Sequence, residues 1–158
     1  MDWTTLLFSF RGRINRAKYW LVGLLNVAAW IVFGGIALIW LGGLDPDNLF
    51  RLAGGALLIW AVAIALSIAG TWAFLATGVK RLHDRDKSGW WILLFWFGPG
   101  LTGGSNSAMA DSGANLALSL IGLGIAIWGF VELGCLRGTR GPNQYGPDPL
   151  EPQGATYA

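Results

Sequence analysis

The sequence predicts an all-α membrane protein: a bundle of four transmembrane helices, the third short or partly re-entrant, preceded by a short interfacial helix. Three observations predict it. The 158 residues are 54% hydrophobic and 13% charged, against the roughly 25% charged of an ordinary soluble domain, so lipid must cover part of the surface. The apolar residues gather in runs, three of them long enough to cross a bilayer as helix, which takes roughly 20 residues. The Lys and Arg between those runs are distributed unevenly, as membrane orientation requires.

Each element has its own warrant. In "DWTTLLF" Asp2 is a candidate N-cap, and Trp3, Leu6, Leu7 and Phe10 share a face, the pattern of a helix lying in the interface. Residues 19–41 contain no charge and one Asn, Asn26. Their apolar core is too long for a signal peptide and "NVAAW" is a poor cleavage site, so this span reads as a retained anchor. Residues 53–78 also lack charge. Residues 90–104, "WWILLFWFGPGLTGG", are interrupted by Gly98, Pro99 and Gly100 and cover only about 22 Å at 1.5 Å per residue. Residues 114–136 contain one charge, Glu132, close to their end. The expected organisation is one membrane domain, 1–141, and a Pro-rich tail, 142–158.

Charge decides the difficult third run. With four spans, ten of the eleven Lys and Arg fall on one side; if the third fails to cross, eight do. Positive charge stays in the cytoplasm, so the expectation is four spans with both termini cytoplasmic, a re-entrant third segment being the rival. Without a hydrophobic drive between helices in lipid, small residues mark packing faces. Ala61, Ala65, Ala69, Ala73 and Thr77 on the second span and Gly122, Gly124, Gly129 and Gly134 on the fourth predict that these two helices sit at the centre. Trp20, Trp40, Trp72, Trp90 and Trp91 fall near the interfaces. Trp30, Trp60, Trp96 and Trp128 lie deeper and read as packing residues.

Three polar stretches remain. In "SFRGRINRAKYW" Asn15 caps the first span, and the cations Arg11, Arg13, Arg16 and Lys18 around a helix N-terminus serve orientation and anionic lipid heads or a bound anion. In "RLHDRDKSGWW" Lys80, Arg81 and His83 complement the C-terminal dipole of the second span, and Ser88 caps the third run. His83 is the single histidine and Cys135 the single cysteine, so no His cage, disulfide or multi-cysteine metal site is expected, and Cys135 reads as a small buried hydrophobe. A Ser–His–Asp relay with Ser88 or Ser9 lacks any strained nucleophile turn; no catalytic, cofactor or metal residue is assigned. The tail "GTRGPNQYGPDPLEP" is turn-rich: either a solvated end or a segment folded back with Asp148 on Arg13, Arg16 or Arg81. Glu132 is expected to reach Arg137 or headgroup water, and Asn26 to hydrogen-bond between helices.

Those stretches, "FRGRINRAKYW", "VKRLHDRDKSGWW" and "GPNQYGPDP", occur in an order that resembles the inner-membrane family catalogued as domain of unknown function 805 (YhaH-like proteins), over nearly the whole length. The resemblance implies a multi-pass helical protein of the bacterial cytoplasmic membrane and supplies no reaction, ligand or cofactor. The predicted topology places all three motifs on the cytoplasmic side, where Arg11, Arg13, Arg16, Arg81, His83, Asp84, Asn143 and Asp148 are expected to form one cluster that locks the tail and presents an anion-binding surface. The expected function is a non-enzymatic module for anionic lipid heads or a protein partner, with homo-oligomers allowed and nucleic acid not expected. A small oligomeric transporter is the alternative, using Asn26, Ser67, Thr71, Ser119 and Glu132; a lipid-acting enzyme at His83 and Asp84 ranks third.

Overall fold

The computed structural model describes residues 2–42, 49–103 and 113–151. Most of the 102–113 connection and the last tail residues, for which loop and tail character were expected, lie outside those residues, as does much of the 42–52 connection. Among the described residues the chain is helical and has no strand, only an isolated bridge between Asn143 and Gly146. The elements are α1 (Trp3–Phe8), α2 (Arg16–Gly42), α3 (Leu49–Asp84), α4 (Trp91–Gly103) and α5 (Gly113–Phe130), which runs into a single π-helical turn, Val131–Cys135. Among the described residues three helices are long and apolar enough to cross a membrane: Arg16–Leu41, Gly54–Asp84 and Asn115–Cys135.

Local chemistry explains most boundaries. The Asp2 carboxylate accepts from the Thr5 N–H at 2.9 Å and starts α1. Asn15 Oδ1 accepts from the Lys18 N–H at 3.0 Å and starts α2. At the end of α3, Asp86 adopts φ +57°, while Lys87 N–H donates to Leu82 O and Asp86 N–H to His83 O; this is a Schellman cap with Asp in the left-handed position usually given to Gly or Asn. Ser88 Oγ then accepts from the Trp90 N–H at 3.4 Å, beside the first residue of α4.

The helix of the second span carries Lys80, Arg81 and His83 at its C-terminal end, as expected, and runs to Asp84. Three expectations require correction. The "GPG" interruption does not break α4, which carries Pro99 inside it. Gly98 faces Ile125 of α5, and a neighbouring helix supports such a proline in lipid. The helix of the N-terminal segment ends at Phe8, so Phe10 leaves the expected face and packs edge-on to Trp72, ring centres 5.3 Å apart. The central pairing differs too. The helices form two hairpins, α2 with α3 and α4 with α5.

In the α4–α5 hairpin Phe95 packs on Gly129 and Gly98 on Ile125, an antiparallel register. Gly134 admits the Trp20 ring of α2. The glycines of α5 thus allow close approach, but to α4 and α2. On α3 the side that packs carries Ala63, Leu66, Gly70, Ala73 and Thr77, while Ala61, Ala65 and Ala69 are exposed. Steps of four overrun a 3.6-residue turn, so a strict i+4 stripe winds away from the interface. Trp60, expected to pack, points outward at 67% exposure, whereas Trp128 packs on Trp91 and Phe95.

The hairpins meet at the end that carries the basic motifs, called here the basic end. Two small clusters of buried apolar residues lie there: Leu6, Ile14 and Val22, and Leu82, Ile92 and Leu133, with Tyr19 against both. Farther along, α2 and α3 present mostly exposed apolar side chains.

Candidate functional site: a buried charge knot

Burial at the basic end is as much polar as apolar. Arg13, Lys80, Arg81, Asp84, Glu132 and Asp148 are all buried, Lys80 and Arg81 completely. An unpaired buried charge costs several kcal/mol, so each needs partners, and each has them.

Asp84 is the centre. Its Oδ1 accepts from Arg13 Nε at 3.2 Å and Nη2 at 3.0 Å, and its Oδ2 pairs with Arg81. Two guanidiniums on one carboxylate leave an excess positive charge, which backbone carbonyls absorb. Arg81 donates from Nε to Leu133 O at 2.8 Å and from Nη2 to Leu136 O. Arg16 donates to Cys135 O at 3.2 Å, Trp20 Nε1 to Gly134 O at 3.0 Å, and Arg85 to Arg137 O. The last carbonyls of the final helix, orphaned by the helix end and carrying its negative dipole, are therefore capped by side chains from the first two motifs. Sequence reasoning gave Lys80 and Arg81 to the terminus of their own helix. The structure turns them to others: Lys80 Nζ donates to Thr5 O at 2.7 Å and to Leu6 O, tying α1 to α3.

The third motif closes over the knot. Arg13 donates from Nη1 to Gly141 O at 2.8 Å and Gly146 O at 3.1 Å, and from Nη2 to Thr139 O at 2.7 Å. Thr139 N–H reaches back to Asp84 O at 2.8 Å. Asn143 donates to His83 O at 2.9 Å, and its Oδ1 accepts from the Tyr145 N–H at 2.9 Å, an Asx turn. Gly146 completes that turn at φ +134°, backbone space that only glycine enters cheaply. Gly138 answers a different need: a Cβ there would fall on the Asp84 carboxylate. Residues 138–151 are thus a folded strap, not a solvated end.

Asp148 lies in that strap without an arginine. Its Oδ2 accepts from the Gly141 N–H at 3.3 Å and its Oδ1 from the Leu150 N–H at 2.9 Å, so it holds the turn, and the carboxylate that Arg13 meets is Asp84. Glu132 likewise has other partners than Arg137: Arg85 Nε at 3.0 Å and Lys87 Nζ at 3.1 Å. Cys135 is exposed, because the π turn directs Glu132, Leu133 and Gly134 inward. Asn26 lies against Gly70, where α2 and α3 approach closely.

His83 completes the inventory. Its ring stacks on Tyr145, centres 3.9 Å apart and planes 5° apart, and Nδ1 lies 3.3 Å from Gly12 O. The neighbouring Asp84 carboxylate is held by Arg13 and Arg81, so the imagined Ser–His–Asp chain is not assembled. Among the described residues no three His, Cys, Asp or Glu gather to hold a metal ion. Of the eight residues expected to cluster, Arg13, Arg81, His83, Asp84, Asn143 and Asp148 lie together, Arg16 touches the margin, and Arg11 is exposed. Sequence reasoning missed Lys80, Thr139, Gly138 and the Glu132–Arg85–Lys87 set. Like-with-unlike charge in "KRLHDRDK" was the available signal, but spacing alone does not name partners.

Known proteins place the chain. A family described as "Protein of unknown function (DUF805)" matches residues 7–147. The chain is 33% identical over 160 residues to "Inner membrane protein YhaH" of Escherichia coli K12, covering 96% of this chain and 100% of that one. It is 32% identical over 142 residues to "Uncharacterized protein YiiR" of the same strain, covering 90% and 86%. With "Inner membrane protein YhaI" the identity is 30% over 140 residues, covering 89% and 85%. No solved structure matches. All three signature stretches converge on one knot, and the family match covers the first two and the third as far as Pro147: the chain is a helical membrane protein belonging to the DUF805 family.

Proposed function

We propose that this is a four-pass inner-membrane module, termini in the cytoplasm, whose basic end holds anionic lipid heads or a membrane-protein partner around a self-saturated charge knot. Connectivity supports the four passes. α3 and the π turn both end at the basic end, joined by Arg81 to Leu133 O. On this reading α5 crosses from the far side to the basic end, and the segment that contains α4, about 20 Å of helix, crosses in the other direction. The inner-membrane names of two relatives support the compartment, and the ten cations that four spans assign to one side support cytoplasmic termini.

The observation that carries the binding role is a division of labour among arginines. Arg13 and Arg81 are buried with their donors taken, whereas Arg11, Arg16, Arg137 and Arg140 are exposed at the same end. The buried pair builds the platform and the exposed four form the rim, each worth about 1 kcal/mol toward an anionic surface. Residues 1–141 form the membrane domain, and the start of the tail serves as its strap. Native mass spectrometry of the gently extracted protein is the test: the number of phosphatidylglycerol or cardiolipin molecules retained per chain should fall when Arg16, Arg137 and Arg140 are changed to Gln. Retention unchanged would reject the rim.

A second reading, a small oligomeric transporter, is favoured by one observation. Asn26, Ser67 and Thr71 line a common cleft of about 480 Å³ beside Trp30 and Trp96. Solute flux in proteoliposomes that vanishes in Asn26→Leu would promote it.

A further inference from the structure

A cleft of about 510 Å³ opens between the N-terminal segment, α3 and α4, and the charge knot does not use it. Its lining changes character along its length. Ser88, His83 and Tyr145 line it at the basic end, and Val79 and Leu75, one and two helical turns from His83, continue it away from that end. Leu93 forms the opposite apolar wall. Gly89 lets the chain before α4 approach α3 closely at the polar end of the cleft: a Cβ there would stand 2.8 Å from Val79 Cγ1 and 3.4 Å from His83 Nε2. Among the described residues no acid lines the cleft. The exposed Arg11 sits in the chain beside the cleft, between Phe10, which forms part of its wall, and Gly12, whose O meets His83.

We propose that this cleft seats one acyl chain of an anionic membrane phospholipid, with the phosphate at Arg11, Ser88 and His83 and the chain along Val79, Leu75 and Leu93. A polar, acid-free mouth beside a cation suits a phosphate, and apolar walls leading away from it suit the attached chain. This deepens the headgroup reading above by giving one lipid a defined seat, and it rests on that reading only for the sign of the headgroup.

The test uses the full chain in phosphatidylethanolamine vesicles containing phosphatidylglycerol with a diazirine on one acyl chain, and maps the photolabel by mass spectrometry. Val79 and Leu93 should be labelled at least fivefold above Leu57 and Leu58, which face outward on α3. Leu93→Trp, a change at a half-exposed wall that fills the cleft, should remove that excess, and Ser88→Leu should reduce it. A phosphatidylcholine probe should label the cleft at least threefold less. The triple Arg16, Arg137 and Arg140 change to Gln should leave the cleft signal intact, so failure of the rim and failure of the cleft are separate results. Uniform labelling of cleft and outward residues, equal labelling by both probes, loss of the signal in the triple variant, or cross-links joining Leu93 of two copies would each overturn the proposal.

Discussion

The two ends of α3 obey different rules. Over its first half Leu57 and Leu58 are 71% and 64% exposed, and almost any apolar residue would serve there. Over its last turns Lys80, Arg81 and Leu82 are wholly buried, and each has a named partner. One half is specified by lipid, which asks only for oiliness; the other is specified by hydrogen-bond geometry. The second signature motif begins in those last turns because only there does the identity of a side chain matter.

Substitutions sharpen that contrast, beginning with the largest effect. Asp84→Ala leaves Arg13 and Arg81 buried without their anion, and thermal unfolding in detergent should show a loss of about 3–5 kcal/mol, with the strap newly open to trypsin after Arg140. Gly138→Ala forces a methyl onto the same carboxylate and should cost about 1–3 kcal/mol, the usual penalty of overpacking. Glu132→Gln frees Arg85 and Lys87, which are partly hydrated, so about 1 kcal/mol is expected. In the other half, Ala65→Leu should change stability by less than about 0.5 kcal/mol. An effect there as large as at Asp84 would erase the distinction.

The smallest effect concerns α1. Hydrogen bonds from Thr5 hold the exposed Asp2 carboxyl below its ordinary range. A depressed carboxyl stabilises the fold above its unfolded pKa and loses that contribution as pH falls through the folded value. α1 should therefore fray in acid, seen as faster amide exchange at Thr5, while Asp2→Asn should flatten that dependence.

Much of this was legible in the sequence because it depends on short-range or bulk properties. Run length, charge scarcity, and the caps at Asp2 and Asn15 are local. The gathering of Arg13, Asp84 and Asn143 into one neighbourhood was also within reach, since all three motifs fall between or beyond apolar runs. What was not legible depends on direction. Lys80 reads as a dipole complement to its own helix until α1 is known to pass beside it. Glu132 has Arg85, Lys87 and Arg137 all near in sequence or topology, and only the π turn selects the first two. The alanine stripe misled because helical phase accumulates, so 61, 65 and 69 drift off the face that Thr77 occupies. Arginines present a further ambiguity. Buried and exposed ones look alike in a list, yet here one group builds the platform and the other faces outward.

The central claim is that Arg13 of the first motif joins Asp84 of the second to the third. A double-mutant cycle on Arg13→Met and Asp84→Leu, read by unfolding in detergent, tests it directly. The structure predicts that the double variant is more stable than the sum of the single losses by at least about 2 kcal/mol, because removing both charges leaves neither stranded. Losses that add within about 0.5 kcal/mol would mean that the two residues do not meet.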